Sequence, residues 1–335
     1  MKEGAHLSNP ARLCDIIAAM VNLLLLALGF VPLIYGAGKL VEGATSLAKR
    51  FEVPQMVIGL TIVAFGTSAP ELVVNLFAAF DQNAEIVLGN VLGSNIFNIL
   101  GIIGISALIY PLQVRSRTTW IEVPLSLLAA AVVLVMANQQ FLDGASVNRI
   151  TRSDGIVLLL FFSIFIAYSF HSIKSDRPQE EQPIKLHTAL RSWLYIILGL
   201  VFLVVGGRLI VGSAVSFAQR IGIPERIIAL TIISIGTSLP ELATSAVAAS
   251  KRNVDIAIGN IVGSNIFNIF FILGMTTVVY PAKVTAAANI DLLTNLAAAL
   301  LLFALIFIGS GRRIDRREGA LFVLLYAGYL LYLLL

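Results

Sequence analysis

The sequence predicts an all-α membrane protein of about ten transmembrane helices, built as two inverted-topology five-helix repeats with broken helices at a candidate ion site. Three observations carry that reading. Of the 335 residues, 58% are hydrophobic and only 13% are charged, against roughly a quarter charged in a soluble domain. About ten stretches are apolar over the ~20 residues that a spanning helix needs. The chain also contains a gapless internal duplication, and each half holds an odd number of those stretches.

The first stretch, 13–45, is too long for the apolar part of a secretory signal and nine more follow it, so it reads as a retained helix. Cys14, the single cysteine, reads as a small residue near its start and excludes an intrachain disulfide. The second to fifth stretches run near 54–80, 84–111, 118–138 and 153–172 and complete a first five-helix repeat over 13–172. Residues 173–190, SIKSDRPQEEQPIKLHTA, are polar and charged and read as a short cytoplasmic linker, too small for a folded regulatory domain. The sixth to tenth stretches, near 191–217, 224–250, 254–281, 286–310 and 317–335, form the second repeat over 191–335. Trp120 and Trp193 stand at helix starts, where interfacial aromatic belts form. His6, His171 and His187 read as solvated.

Residues 60–111 align with residues 230–281 at a constant offset of 170, with 26 of the 52 positions identical. Five spans per half means that the second copy enters the membrane from the opposite side, as in the inverted repeats of secondary transporters. If spans alternate, one side collects fourteen Lys and Arg, among them Arg115, Lys174, Lys251 and Arg313, and the other collects seven. The positive-inside rule makes the richer side cytoplasmic, with both termini outside, in a multi-pass cell (inner) membrane protein. The net charge of +4 is scattered over helix ends and gives no sign of a nucleic-acid partner.

Glu71 and Glu241 lie midway along the second span of each half, in duplicated G-T-S-x-P-E motifs. A charge there costs about 3 kcal/mol or more. The surrounding stretches, 55–111 and 227–281, hold no Lys or Arg except Lys251 and Arg252 in a predicted loop. The remaining counter-charge is a bound cation or a proton. Pro70 and Pro240 cannot donate to the carbonyls of Gly66 and Gly236, so each span is expected to break and to offer backbone oxygens beside its glutamate. Thr67 and Glu71, like Thr237 and Glu241, are four apart and share a helical face. The following spans carry G-N-x-x-G-S-N-I-F-N, with Asn90, Ser94 and Asn98, and Asn260, Ser264 and Asn268, forming one polar stripe each. Ser94, Asn98, Ser264 and Asn268 are candidate ligands. Gly89, Gly93, Gly259 and Gly263 read as close-packing positions. An all-oxygen site with two carboxylates suits Ca²⁺, or two monovalent ions, better than Mg²⁺ or soft metals.

These duplicated motifs resemble the alpha-repeats of the calcium/cation antiporter superfamily, above all its prokaryotic sodium/calcium exchangers, over both repeats and the ten-span layout. The resemblance implies a central calcium site of the Glu71 and Glu241 carboxylates with the main-chain oxygens of Thr67 and Thr237. It implies flanking sodium sites drawing on Ser94 and Ser264, with Ala64, Ser68, Ser234 and Ser238 as further contributors and Asn98 and Asn268 in the middle. It implies alternating access, in which the long first and sixth spans slide as a unit, and exchange of about three Na⁺ for one Ca²⁺. Ca²⁺ and Na⁺ are then transported substrates, with the bilayer as surroundings; no cofactor, no protein partner and no enzymatic activity is implied. Asn268 stands where potassium-dependent members carry aspartate, which argues against potassium dependence and leaves two central carboxylates. An antiporter driven by H⁺, or one moving another divalent cation, is the alternative. An intramembrane protease would pair aspartates, and a channel would not need a closed, charge-matched site in an inverted repeat.

Overall fold

The computed structural model describes residues 10–175, 186–220, 231–232, 234–307 and 311–334. His6, the side chain of Cys14, the middle of the linker and the start of the seventh apolar stretch lie outside them. The described chain is almost wholly helical. Helices α1 (Pro10–Arg50), α2 (Gln55–Thr67), α3 (Ala69–Phe80), α4 (Ala84–Ile109), α5 (Thr118–Met136) and α6 (Arg152–Ser175) come before the linker. Helices α7 (Ala189–Arg220), α8 (Leu239–Ser250), α9 (Val254–Val279), α10 (Ala286–Leu305) and α11 (Arg316–Leu334) follow it. Among the described residues, seven single helices are long and apolar enough to cross a membrane, and α2 with α3 makes an eighth as a bent pair. The chain is thus a multi-pass helical membrane protein.

Local chemistry repeats where the sequence repeats. The Asn83 side chain accepts from the Ile86 amide at 3.2 Å to cap α4, and Asn253 accepts from Ile256 at 3.3 Å to cap α9. The turns before these helices reverse through Gln82 (φ 59°) and Arg252 (φ 58°), left-handed positions at the same offset. Two short antiparallel pairs, which the sequence did not announce, tie the halves together. Strand β1 (Leu112–Gln113) pairs with β4 (Arg313–Ile314), and β2 (Arg149–Ile150) pairs with β3 (Ala282–Lys283).

Helices α4 and α9 form the centre: 78% and 94% of their most apolar windows are buried, against 22–39% for α1, α5, α6, α7 and α10. On those outer helices Val31, Leu160, Ile164 and Val201 stay exposed, an apolar surface suited to lipid. The longest contact is between α1 and α7. Gly29, Gly36 and Gly43, seven apart on α1, face Gly206, Gly199 and Ser192, seven apart on α7. A Cβ built on Gly36 would stand 2.7 Å from the Gly199 carbonyl, one on Gly206 2.8 Å from that of Gly29, and one on Gly43 2.7 Å from that of Ser192. Small residues let the two backbones touch, the packing by which membrane helices associate.

One expectation is corrected. His187, read as solvated, is largely buried: its Nε2 lies 2.9 Å from Glu42 Oε1, and its backbone N–H donates to Ser46 Oγ at 2.9 Å. The end of the linker is laid along α1, whose Glu42, also paired with Lys39 at 3.0 Å, supplies the partner. Arg115, counted among the basic residues of the cytoplasmic side, reaches the buried Asp255 at the start of α9, with Nε 2.9 Å from Oδ1 and Nη2 on Oδ2.

Candidate functional site

Two helical segments meet at Ser68 (φ −82°, ψ 6°), where α2 ends and α3 begins, with a bend of 48°. Pro70 sits in the first turn of α3, where a missing N–H is tolerated. In the second half a turn of helix, Ser234–Thr237, meets α8 at Ser238 (φ −89°, ψ 7°) in the same way. Glu71 and Glu241 therefore fall in the first turns of α3 and α8, where unsatisfied N–H groups and the helix dipole favour a carboxylate. Both are 1% exposed.

The two glutamates are joined crosswise. Ser68 Oγ donates to Glu241 Oε1 at 2.8 Å, and Ser238 Oγ donates to Glu71 Oε1 at 2.9 Å. Each break thus serves the carboxylate of the opposite half. Ser264 Oγ adds a bond of 3.3 Å to Glu241 Oε1 and lies 3.0 Å from Ser68 Oγ. Its repeat counterpart Ser94 is equally buried, yet its Oγ has no hydrogen-bond partner. Oε2 of both glutamates is buried without a partner as well. Among the described residues neither glutamate forms an ion pair. Lys251 donates to the Gly38 carbonyl at 3.2 Å, with burial lowering its pKa, and Arg252 lies over the Tyr110 ring at 5.7 Å.

The threonines are held by the first asparagine of each stripe. Thr67 Oγ1 lies 3.0 Å from Asn260 Oδ1, and Asn90 Nδ2 donates to Thr237 Oγ1 at 3.3 Å. Asn75 Nδ2 reaches the Glu71 carbonyl at 2.7 Å and Asn90 Oδ1 at 2.8 Å. In the second half Asn260 Nδ2 reaches Ser245 Oγ at 2.9 Å and the Glu241 carbonyl at 3.3 Å. Asn75 and Ser245 escaped the sequence reading; the available signal was two polar residues at the same repeat position in apolar spans. Ala64 and Ser234 are buried one turn before Ser68 and Ser238.

Asn98 and Asn268 are the second residues of π-helical segments, Phe97–Ile103 and Phe267–Leu273, that interrupt α4 and α9. Such wide turns recur at functional sites. Asn98 Nδ2 donates to Asn265 Oδ1 at 3.0 Å and Asn268 Nδ2 to Asn95 Oδ1 at 3.0 Å, while the Oδ1 atoms of Asn98 and Asn268 are buried without partners. The close-packing glycines of the second copy meet backbone of the first half. A Cβ on Gly263 would meet the Leu60 carbonyl at 2.6 Å and one on Gly259 the Met56 carbonyl at 2.9 Å, and among the described residues one on Gly93 would meet Ser234 at 3.5 Å. Chemically, these bonds bring the two carboxylates together with the hydroxyls of Ser68, Ser238 and Ser264, while Asn98 and Asn268 bond to Asn265 and Asn95. No group of three or more His, Cys, Asp or Glu that could hold a metal occurs among the described residues.

The model of the sodium/calcium exchanger protein family matches residues 21–171 and again residues 191–335. The inner membrane protein YrbG of Escherichia coli K12 is 35% identical over 318 residues, covering 92% of this chain and 94% of YrbG. The sodium/calcium exchanger MaX1 of Methanosarcina acetivorans is 33% identical over 345 residues, covering 93% and 98%. The solved structure of the sodium-calcium exchanger NCX_Mj soaked with 2.5 mM Na⁺ and 10 mM Sr²⁺ superposes with a TM-score of 0.78 at 29% identity, covering 92% of this chain and 97% of that one. With the family model matching both halves and relatives aligned over nearly their whole length, the chain belongs to the sodium/calcium exchanger protein family.

Proposed function

We propose that this protein is a secondary active antiporter that exchanges Na⁺ for Ca²⁺ by alternating access, with Glu71 and Glu241 at the centre of its site. One observation carries the reading: two buried carboxylates each leave one oxygen unpartnered and have no cationic side chain among the described residues. Such charges persist in a membrane interior only when compensated. A Ca²⁺ ion needs six to eight oxygens in adaptable geometry. Oxygens of Ser94, Ser264, Asn98 and Asn268 with the main-chain oxygens of Thr67 and Thr237 extend the set, and Ala64, Ser68, Ser234 and Ser238 border it.

Two carboxylates balance one Ca²⁺ or two monovalent ions, so either occupant relieves the same electrostatic cost and the two exclude each other. The relatives named as sodium/calcium exchangers support Na⁺ as the second ion. In this reading ten spans form two inverted repeats, 13–172 and 191–335. The linker 173–190 is cytoplasmic, and both termini lie outside the inner membrane. The glycine-lined contact of α1 with α7 suits two helices that slide as one body against the rest.

The test is uptake of ⁴⁵Ca²⁺ into proteoliposomes loaded with Na⁺, with K⁺, or with an imposed proton gradient. Na⁺ loading is expected to drive uptake. Uptake that ignores Na⁺ and follows the proton gradient assigns H⁺ as the driving ion instead.

A further inference from the structure

One buried cross-repeat contact is made by side chains to which the proposed exchange gives no role. Asn95 and Asn265, both at most 2% exposed, stand next to Ser94 and Ser264 on α4 and α9. Asn95 Nδ2 donates to the main-chain carbonyl of Asn265 at 3.2 Å. A carbonyl can only accept, so this bond fixes which way the Asn95 amide points. Its Oδ1 is then the acceptor offered to Asn268, and Asn268 must present Nδ2, as it does at 3.0 Å. With its N–H₂ group engaged there, Asn268 is left with a buried Oδ1 that meets no donor. In the mirror contact Asn98 Nδ2 donates to Asn265 Oδ1 at 3.0 Å, and Asn98 Oδ1 is likewise buried and unpartnered.

An amide has one end that attracts a cation and one that repels it. A free asparagine beside a cation site would have to be oriented by the ion itself. For Asn268 the orientation is set beforehand by a relay through Asn95 that ends on the backbone carbonyl of Asn265, and Asn98 makes the mirror contact with Asn265. Asn268 lies four residues after Ser264, whose hydroxyl reaches Glu241, and so belongs to the same polar stripe.

We propose that Asn95 and Asn265 are positioning residues that lock the amides of Asn268 and Asn98 with their oxygens toward the transported cation. The proposal rests on the cation-exchange reading and deepens it. It explains how a site lacking an acid at position 268 still offers only oxygen there. Preorganised dipoles of this kind need no reorientation when the ion arrives.

The experiment measures the apparent KM and maximal rate for ⁴⁵Ca²⁺ uptake into Na⁺-loaded proteoliposomes. Asn95→Leu removes both ends of the relay and is expected to raise KM by roughly tenfold, the scale of one lost hydrogen bond to a charged or buried group, with a smaller change in maximal rate. Asn95→Asp keeps the acceptor for Asn268 Nδ2 and is expected to hold KM within about twofold of wild type. In an Asn268→Asp background the side chain has oxygens at both ends, so adding Asn95→Leu is expected to change KM by less than about twofold. Asn265→Leu, with and without Asn98→Asp, repeats the test on the mirror contact, and Asn95→Ala replaces Asn95→Leu if the latter does not elute as a single species. The proposal is overturned if Asn95→Leu lowers the maximal rate with KM unchanged, or if its effect on KM is the same with Asp at 268. Glu71→Gln is run alongside: loss of its uptake with no KM effect of the Asn95 variants sinks this proposal alone, whereas wild-type uptake by Glu71→Gln sinks the exchange reading beneath it.

Discussion

The contact between α1 and α7 makes opposite predictions for glycines two residues apart. At Gly36 an added Cβ would lie 2.7 Å from the Gly199 carbonyl and 2.9 Å from the Leu203 amide nitrogen, both backbone atoms that no rotamer change can move. Ordinary contact begins near 3.4 Å, so Gly36→Ala forces the helices apart by roughly 0.7 Å. Overpacking of this kind costs about 1–3 kcal/mol, offset by about 0.5–1 kcal/mol from replacing a helical glycine with alanine. At Gly38 no atom of the described residues lies within 4 Å of the built Cβ, so Gly38→Ala keeps only the gain. Gly206 and Gly207 form a similar pair on α7, the first at 2.7 Å from the Leu33 amide and the second open among the described residues. A gap of about 2 kcal/mol within each pair corresponds to a Tm difference on the order of 2–6 °C. Thermal unfolding of the purified protein in detergent is expected to place Gly36→Ala and Gly206→Ala below wild type and Gly38→Ala and Gly207→Ala at or above it. Equal shifts within both pairs would refute the close backbone contact.

Other predictions follow from the unequal surroundings of the two repeats. Ser238→Ala removes the hydroxyl on Glu71, whose would-be second donor Ser94 makes no bond, so it is expected to weaken apparent Ca²⁺ affinity by about tenfold or more; Ser68→Ala, backed by Ser264 at 3.3 Å on Glu241, is expected to cost less, and the reverse order in uptake assays counts against the assignment. Arg115→Met removes the guanidinium paired with the buried Asp255 carboxylate and is expected to lower stability by about 1–3 kcal/mol, whereas Glu85→Gln, at the exposed repeat counterpart of Asp255, is expected to leave the Tm unchanged. His187→Ala removes the linker's side-chain contact with Glu42 and is expected to increase proteolysis of the linker without changing Ca²⁺ affinity, as limited trypsin digestion followed by uptake would show.

Much of this arrangement was legible because a membrane makes few demands and enforces them strictly. Apolar length announced the helices: the stretches predicted at 84–111, 118–138 and 286–310 correspond to α4, α5 and α10. Improbable charge announced Glu71 and Glu241, and repetition at an offset of 170 ranked them above isolated polar residues. What stayed hidden depends on contacts between distant segments. The spacing of Gly29, Gly36 and Gly43 acquires meaning only once α7 supplies glycines at the same period. His187 was misread because nothing local shows the linker lying along Glu42. Asn95 and Asn265 give no signal of their own within G-N-x-x-G-S-N-I-F-N, since a three-residue step onto Asn98 or Asn268 becomes a relay only when the two copies cross. The inequality of Ser94 and Ser264 is invisible in principle, because the motifs around them are identical.

The central claim is that two uncompensated carboxylates bind the ions that are exchanged. Its most direct measurement is Na⁺-gradient-driven ⁴⁵Ca²⁺ uptake by wild type, Glu71→Gln and Glu241→Gln, each first shown to elute as a single folded species. Glutamine keeps the size and the hydrogen-bonding oxygen but removes the charge, so both variants are predicted to fold and to lose uptake. Wild-type uptake by both would contradict the claim.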